Sequence, residues 1–274
     1  LLARYAREHG ATVVVVEQKI ALLSQYADML VIVDEGRIRF ADAPAKVLEH
    51  SGELERIGVN CPRSTTLMNR GPLPGAVGPQ CARSARGVGG GARMIEFKDV
   101  HVSYEASAPI LKGVNFAIRD GEFVAFVGTN GAGKSTTMRL MNGLLKPDAG
   151  QVLIDGVSTA ELRTSELARR VGFLFQNPDR QICCTTVREE LLFGFRALGQ
   201  AGAEADARVD AIIEEFGFDP DDDPFLLNRG ARQLLALASI VVLAPPVVVL
   251  DEPTTGLDYR ECAKVMDIVR RIHE

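Results

Sequence analysis

The octapeptide GTNGAGKS, Gly128–Ser135, constrains the fold of this 274-residue chain more than any other stretch. It satisfies G-x-x-x-x-G-K-[ST] at every fixed position. It also lies between a buried-strand run, Phe123–Val127, and a segment that reads as a helix from about Lys134. Small residues let successive backbone N–H groups turn inward around an anion, and the start of the following helix adds its partial positive charge. Lys134 would meet the β- and γ-phosphates of a nucleotide as a point charge, and Ser135 would offer a hydroxyl to Mg2+. A chance glycine-rich turn ending in Lys-Ser has no need of that flanking strand and helix. Gly128, Thr129, Asn130, Gly131, Ala132, Gly133, Lys134, Ser135 and Thr136 are therefore the candidate nucleotide-binding residues.

A second motif, VVVLDEP at Val247–Pro253, places two carboxylates after four apolar residues of strand character. Open α/β sheets bind ligands at the carboxyl ends of their strands, where Asp251 and Glu252 would sit. Asp251 can hold Mg2+ through water, and Glu252 can polarise the attacking water as a base. A phosphate cradle on one strand and a metal-and-base pair on another define a site for Mg-nucleotide hydrolysis.

The rest of the chain sets bounds. A net charge of −5 argues against a nucleic-acid surface. Cys61, Cys81, Cys183, Cys184 and Cys262 contain no C-x2-C spacing, and an odd number suits a reducing cytosol better than a disulfide framework. The apolar stretch Leu234–Leu250 carries Ser239 and Pro245–Pro246, so it divides into helix, turn and strand rather than spanning a membrane. No secretory signal is visible.

Residues 1–60 alternate helix and strand. An opening helix with Leu2, Tyr5 and Ala6 on one face stops at Gly10, and the apolar run Ala11–Val16 reads as a strand buried on both faces. Next come a helix near Ile20–Ala27, strand Met29–Val33, the turn Asp34–Gly36 and a helix near Pro44–Glu53. Cys61–Arg93 is rich in Gly and Pro, holds five arginines and no acid, and reads as a flexible linker. From Met94, MIEFKDVHVSY alternates like a half-exposed strand. Helices are expected over Glu161–Arg170, Thr186–Ala197 and Ala203–Phe216.

Taken together, these motifs resemble the ATPase subunits of ABC transporters. The resemblance implies an α/β P-loop core with an antiparallel β subdomain and an α-helical subdomain, acting on ATP with Mg2+. It places Tyr104 where the family stacks an aromatic on adenine, although a core tyrosine fits the local pattern equally well. Gln176, in FLFQNPDRQ, matches the Q-loop glutamine that approaches Mg2+ and the attacking water. Asp258, in TTGLD, matches the acid of the D-loop at the dimer interface. The string FQNPDRQI is most similar to the energy-coupling-factor branch, whose members drive uptake of cobalt, nickel or vitamins. The signature loop departs from the family's L-S-G-G-Q: here Leu227 is followed by Asn228, Arg229, Gly230 and Ala231. Asn228 can still donate to phosphate, but Arg229 is far bulkier than glycine.

GATVVVVEQK followed by ADMLVIVDEGRI resembles the end of such an ATPase domain, and KVMDIVRRIHE resembles the helix before that end. The resemblance implies residues 1–60 as the tail of a first domain, 61–93 as a linker and 94–274 as a second domain without its tail. A circularly permuted single domain, whose first strand completes the last sheet, is the alternative. Gln18 stands where the family has a histidine; it can hydrogen-bond a phosphate but cannot titrate. In a head-to-tail dimer, Gln18 and the altered signature would share one weak ATP site, leaving a competent one at Lys134 and Glu252.

The expected function is ATP-driven membrane transport, with transmembrane subunits as separate chains and the protein peripheral on the membrane's cytoplasmic face. A soluble tandem ABC protein acting on DNA or ribosomes would be expected to carry zinc-binding cysteine pairs or a long charged helical linker, and neither is present. A non-catalytic, nucleotide-gated module is the third reading.

Overall fold

The computed structural model describes residues 10–17, 20–24, 26–59, 93–105 and 108–273. The expected opening helix, Gln18 and all of the linker except Arg93 lie outside these residues. The strands are β1 Thr12–Val16, β2 Met29–Asp34, β3 Arg37–Asp42, β4 Arg93–Glu105, β5 Ala108–Arg119, β6 Phe123–Val127, β7 Ala149–Ile154, β8 Val157–Ser158, β9 Val171–Leu174 and β10 Val247–Asp251. The helices are α1 Ile20–Leu23, α2 Pro44–Glu49, α3 Ser51–Arg56, α4 Lys134–Met141, α5 Thr164–Leu167, α6 Val187–Ala197, α7 Ala203–Phe216, α8 Arg229–Val241 and α9 Tyr259–His273.

The central sheet runs β3-β2-β6-β1-β10-β9, parallel except for the hairpin of β2 with edge strand β3. Strands buried on both faces are expected for a parallel sheet, and β1, β6 and β10 are buried at every residue. Their alternate side chains enter two different cores. Val13 and Val15 of β1 pack with Ala236, Leu237, Val265 and Val269 of α8 and α9. Val14 and Val16 pack with Phe97, Leu111 and Ile118 of the second sheet. That second sheet is antiparallel, in the order β5-β4-β7-β8. A third core, including Val187, Leu191, Phe195, Val209, Ile212 and Leu235, joins α6, α7 and α8 into a helical subdomain. The fold thus has the P-loop core and the two subdomains expected from the resemblance.

The first strands are not set apart from the later chain. Residues 12–42 supply three of the six strands of the central sheet, and β1 lies between the strand of the phosphate cradle and the strand of Asp251.

Several local expectations change in extent. The helix expected over Pro44–Glu53 is two short helices meeting at His50, whose φ of −87° and ψ of 27° break the run. Glu161–Arg170 holds only the turn Thr164–Leu167, because Glu161 N–H bonds Ser158 in a separate turn and Arg170 N–H closes back on Leu167. The helix expected over Ile20–Ala27 ends at Leu23. Thr186 is the cap of α6 rather than its first residue, its hydroxyl accepting from Glu189 N–H at 3.2 Å.

Candidate functional site

Three strand ends converge at the site. Val16, the last residue of β1, is in register with Phe126 of β6 on one side and with Asp251 of β10 on the other. Glu17 N–H donates to the Phe126 carbonyl at 3.2 Å, and Glu252 N–H donates to the Val16 carbonyl at 3.0 Å. The strand between the cradle and the carboxylates therefore bonds to both.

The cradle leaves β6 at Gly128, where a Cβ would stand 2.1 Å from the Val33 carbonyl oxygen at the end of β2, so that the close approach admits only glycine. Gly131 and Gly133 both take positive φ, and the backbone then enters α4. Lys134 is 5% exposed and donates to the carbonyls of Gly128 at 2.7 Å and Thr129 at 2.9 Å. Its head group is thus held over the loop that its backbone opens. Burial pushes its pKa down, while Glu252, Asp251 and Glu17 act in the opposite direction.

Ser135 Oγ donates to Asp251 Oδ1 at 3.2 Å. Burial pushes the Asp251 carboxyl up, partly offset by that hydroxyl and reinforced by the charge of Glu252. Glu252 adopts φ of +48°, a left-handed conformation that costs a glutamate roughly 1–3 kcal/mol and aims its side chain away from the strand path. Its Oε2 accepts from Gln176 Nε2 at 2.6 Å and from Thr255 Oγ1 at 2.9 Å. Two donors on one oxygen fix the plane of the carboxylate.

Lys134, Ser135, Gln176 and Glu252 line a cleft of about 460 Å3 with Tyr104, Ile110, Asn130, Gly131, Gly133 and Thr136. Tyr104 is 56% exposed at the lip, its hydroxyl accepting from Arg139 at 3.4 Å, so it is not a core tyrosine.

The structure does not bring every candidate residue here. None of Asn228, Arg229, Gly230 and Ala231 lines the cleft. The Asn228 side chain accepts from Ala231 N–H at 2.8 Å and caps α8. Arg229 donates to the Thr255 carbonyl at 3.3 Å, and Gly230 is pressed against the Glu261 carboxylate. Asp258 caps α9 reciprocally: Oδ1 accepts from Glu261 N–H at 2.8 Å, and Glu261 Oε2 accepts from Asp258 N–H at 3.0 Å. Gln18 lies outside the described residues.

Three participants were not singled out in the sequence. Glu17 is 3% exposed, acts on Lys134 and accepts from the Thr254 hydroxyl. Its signal was available, since an acid directly after a buried strand is the same cue that marked Asp251. Thr255 and Arg139 gave no comparable cue, because their roles depend on what the fold places opposite them.

The sequence profile of ABC transporters matches residues 111–255. The chain is 43% identical over 184 residues to a putative ABC transporter ATP-binding protein of Caldanaerobacter subterraneus, covering 66% of this chain and 32% of that protein. It is 43% identical over 169 residues to the energy-coupling factor transporter ATP-binding protein EcfA of Methanothermobacter thermautotrophicus, covering 60% and 54%. The chain therefore spans about a third and about half of these relatives' lengths. Among solved structures, cbiO1 from Clostridium perfringens, part of the ABC transporter complex cbiONQ, aligns with a TM-score of 0.60 and 31% identity over 66% of this chain and 74% of that one.

Proposed function

The chain belongs to the ABC transporter ATP-binding family, and from that membership we propose that it binds and hydrolyses MgATP to energise a membrane transporter for uptake of a metal ion or vitamin. The observation that carries the proposal is the contact between Ser135 Oγ and Asp251 Oδ1, which joins cradle and carboxylates into one site. The EcfA and cbiO1 similarities support the uptake assignment.

The residues fit Mg2+. Both are hard oxygen donors brought to within 3.2 Å of one another, so that Ser135 would hold the ion by its hydroxyl and Asp251 through water. Bound there, Mg2+ would neutralise charge on the phosphate oxygens. The cradle's amides and the α4 N-terminus would hold the phosphates, and Lys134 would reach them from its perch over Gly128 and Thr129. Glu252, oriented by Gln176 and Thr255, would accept a proton from the attacking water. Tyr104, at the lip, would cover the adenine.

We further propose that residues 1–60 have the character of an ATPase domain's tail, which here completes the sheet that residues 94–274 leave open, with 61–93 as the linker, and that two such domains close head-to-tail on ATP. Asp258 and the loop from Asn228 to Ala231 would then face the opposite domain. With Arg229 engaged at Thr255 rather than a small glycine presented outward, that loop would clamp weakly, and the pair of sites would be unequal. Among the described residues no helix is long and apolar enough to cross a membrane, which accords with docking to separate transmembrane subunits.

In the full-length protein, Glu252→Gln is expected to cut phosphate release roughly 10²–10⁴-fold while ATP binding persists. Turnover within a few fold of wild type would refute Glu252 as the base.

A further inference from the structure

The segment that leads from Gln176 into α6 carries two adjacent thiols, Cys183 and Cys184, whose chemistry the nucleotide site does not use. In an extended strand, neighbouring side chains point to opposite sides. Here Glu190 gathers them. Its Oε2 accepts from both Cys183 N–H and Cys184 N–H at 2.9 Å, which bends the segment around one carboxylate. As a result the two Sγ atoms and a Glu190 carboxylate oxygen all lie within 4.8 Å of one another.

Glu190 is 3% exposed, yet among the described residues no lysine, arginine or histidine forms an ion pair with it. Buried carboxylates are normally paired or coordinate a metal. Two amide hydrogen bonds hold the carboxylate in place beside the two thiols, and the cluster so formed combines one hard and two soft donors with no basic side chain paired to it among the described residues.

We propose that Cys183, Cys184 and Glu190 bind a thiophilic ion of the Zn2+ class. Tetrahedral coordination with bonds of about 2.3 Å to sulfur and 2.0–2.2 Å to oxygen sets ligand atoms roughly 3.5–3.8 Å apart, so no pair of the trio need close by more than about 1 Å. Thiolate donors select such an ion over Mg2+ or Ca2+. Binding forms two metal–sulfur bonds and one metal–oxygen bond, and releases both thiol protons to solvent. The fourth position falls to water, since Cys183 is exposed and the ion has an open approach. Bound there, the ion ties the segment after Gln176 to the first turn of α6. The site stands independently of the ATPase assignment.

The test titrates the purified chain with Cd2+ as a spectroscopic stand-in for Zn2+, in a Cys61→Ser/Cys81→Ser background. A thiolate-to-metal ultraviolet band should saturate at one equivalent and be displaced by Zn2+. Adding Cys183→Ser and Cys184→Ser should abolish it. Glu190→Gln, whose amide oxygen can still accept both N–H groups, should weaken binding at least about tenfold. Independently of any variant, Zn2+ should slow alkylation of Cys183 and Cys184 in the wild-type chain, read peptide by peptide by mass spectrometry. No band at stoichiometric Cd2+, a band that survives the double serine change, full affinity in Glu190→Gln, or unaltered alkylation would each overturn the proposal.

Discussion

Replacing Gly36 by alanine tests whether the β2–β3 turn holds the phosphate cradle in place. Gly36 has φ of +78°, and a Cβ there would stand 1.9 Å from the Ile110 carbonyl oxygen and 2.8 Å from its carbon. Backbone cannot yield as a flexible side chain can, so the turn itself must move. It holds two hydrogen bonds that a shift would break: Gly36 N–H to the Ala132 carbonyl at 3.1 Å, and Lys112 N–H to the Gly36 carbonyl at 2.9 Å. A left-handed alanine costs roughly 1–2 kcal/mol. Each lost backbone bond costs roughly 0.5–1.5 kcal/mol net, so Gly36→Ala should lose about 2–5 kcal/mol. Gly156, in the β7–β8 turn, supplies the control: its φ is +74° and nothing lies within 4 Å of the added Cβ. Gly156→Ala should lose only the conformational component, about 1–2 kcal/mol. Urea unfolding followed by circular dichroism compares the two. ATP affinity should fall in Gly36→Ala alone, because Ala132 belongs to the cradle. Equal losses in the two variants would show that residues 29–42 do not pack where the structure places them, and the description of the central sheet would fail with them.

Three single contacts supply further tests. Val15→Ala removes a wholly buried side chain that packs toward α8 and α9 from the strand between β6 and β10 and should cost about 2–3 kcal/mol by urea midpoint; a loss under about 0.5 kcal/mol would contradict its central place. Thr255→Val removes one of the two donors on Glu252 and should lower kcat roughly 10–100-fold with KM little changed, since a hydrogen bond to a charged group is worth about 1.5–3 kcal/mol; a change confined to KM would refute its orienting role. Glu166 is held below the ordinary carboxylate range, first by the Arg163 side chain and then by Arg163 N–H. Its contribution is present above the ordinary value and lost as pH falls through the depressed one, so Glu166→Gln should be slightly less stable than wild type at neutral pH and indistinguishable in strong acid.

The sequence was legible wherever chemistry acts locally. Lys134, Ser135, Asp251 and Glu252 announced themselves because a phosphate cradle and a strand-end acid each need particular residue types at fixed spacing. Helix α7 was legible at both ends, with small residues before it and Gly217 in a left-handed conformation closing it. Strand β5 was not. APILKGVNFAIR mixes buried Leu111, Val114 and Ile118 with half-buried neighbours, and bulges against β4 shift the alternation repeatedly. The short strands β7 and β9 likewise borrow their definition from partners distant in sequence. The contact of Gln176 with Glu252 was invisible because 76 residues separate them.

The limit is sharpest at β1, and it bears on function. TVVVV predicts a strand buried on both faces, but four valines carry no mark distinguishing one face or one neighbour from another. Any parallel slot of matching length satisfies such a strand equally well through its backbone. The contacts that distinguish this slot lie at the strand's carboxyl end: the charge of Glu17 acts on Lys134, its carboxylate accepts from Thr254, and the Val16 carbonyl is bonded to Glu252. The polar residue after β1 thus adds specific contacts that the apolar body of the strand cannot make. The backbone N–H of the same residue bonds the Phe126 carbonyl on the strand that leads into the cradle. A strand swapped in from another ATPase domain would dock as firmly by its valines, yet a different residue in place of Glu17 would change one of the three acidic charges acting on Lys134. One position thus joins the pairing of β1 to the surroundings of Lys134, and Glu17→Gln is expected to alter both strand docking and the charge balance at the lysine.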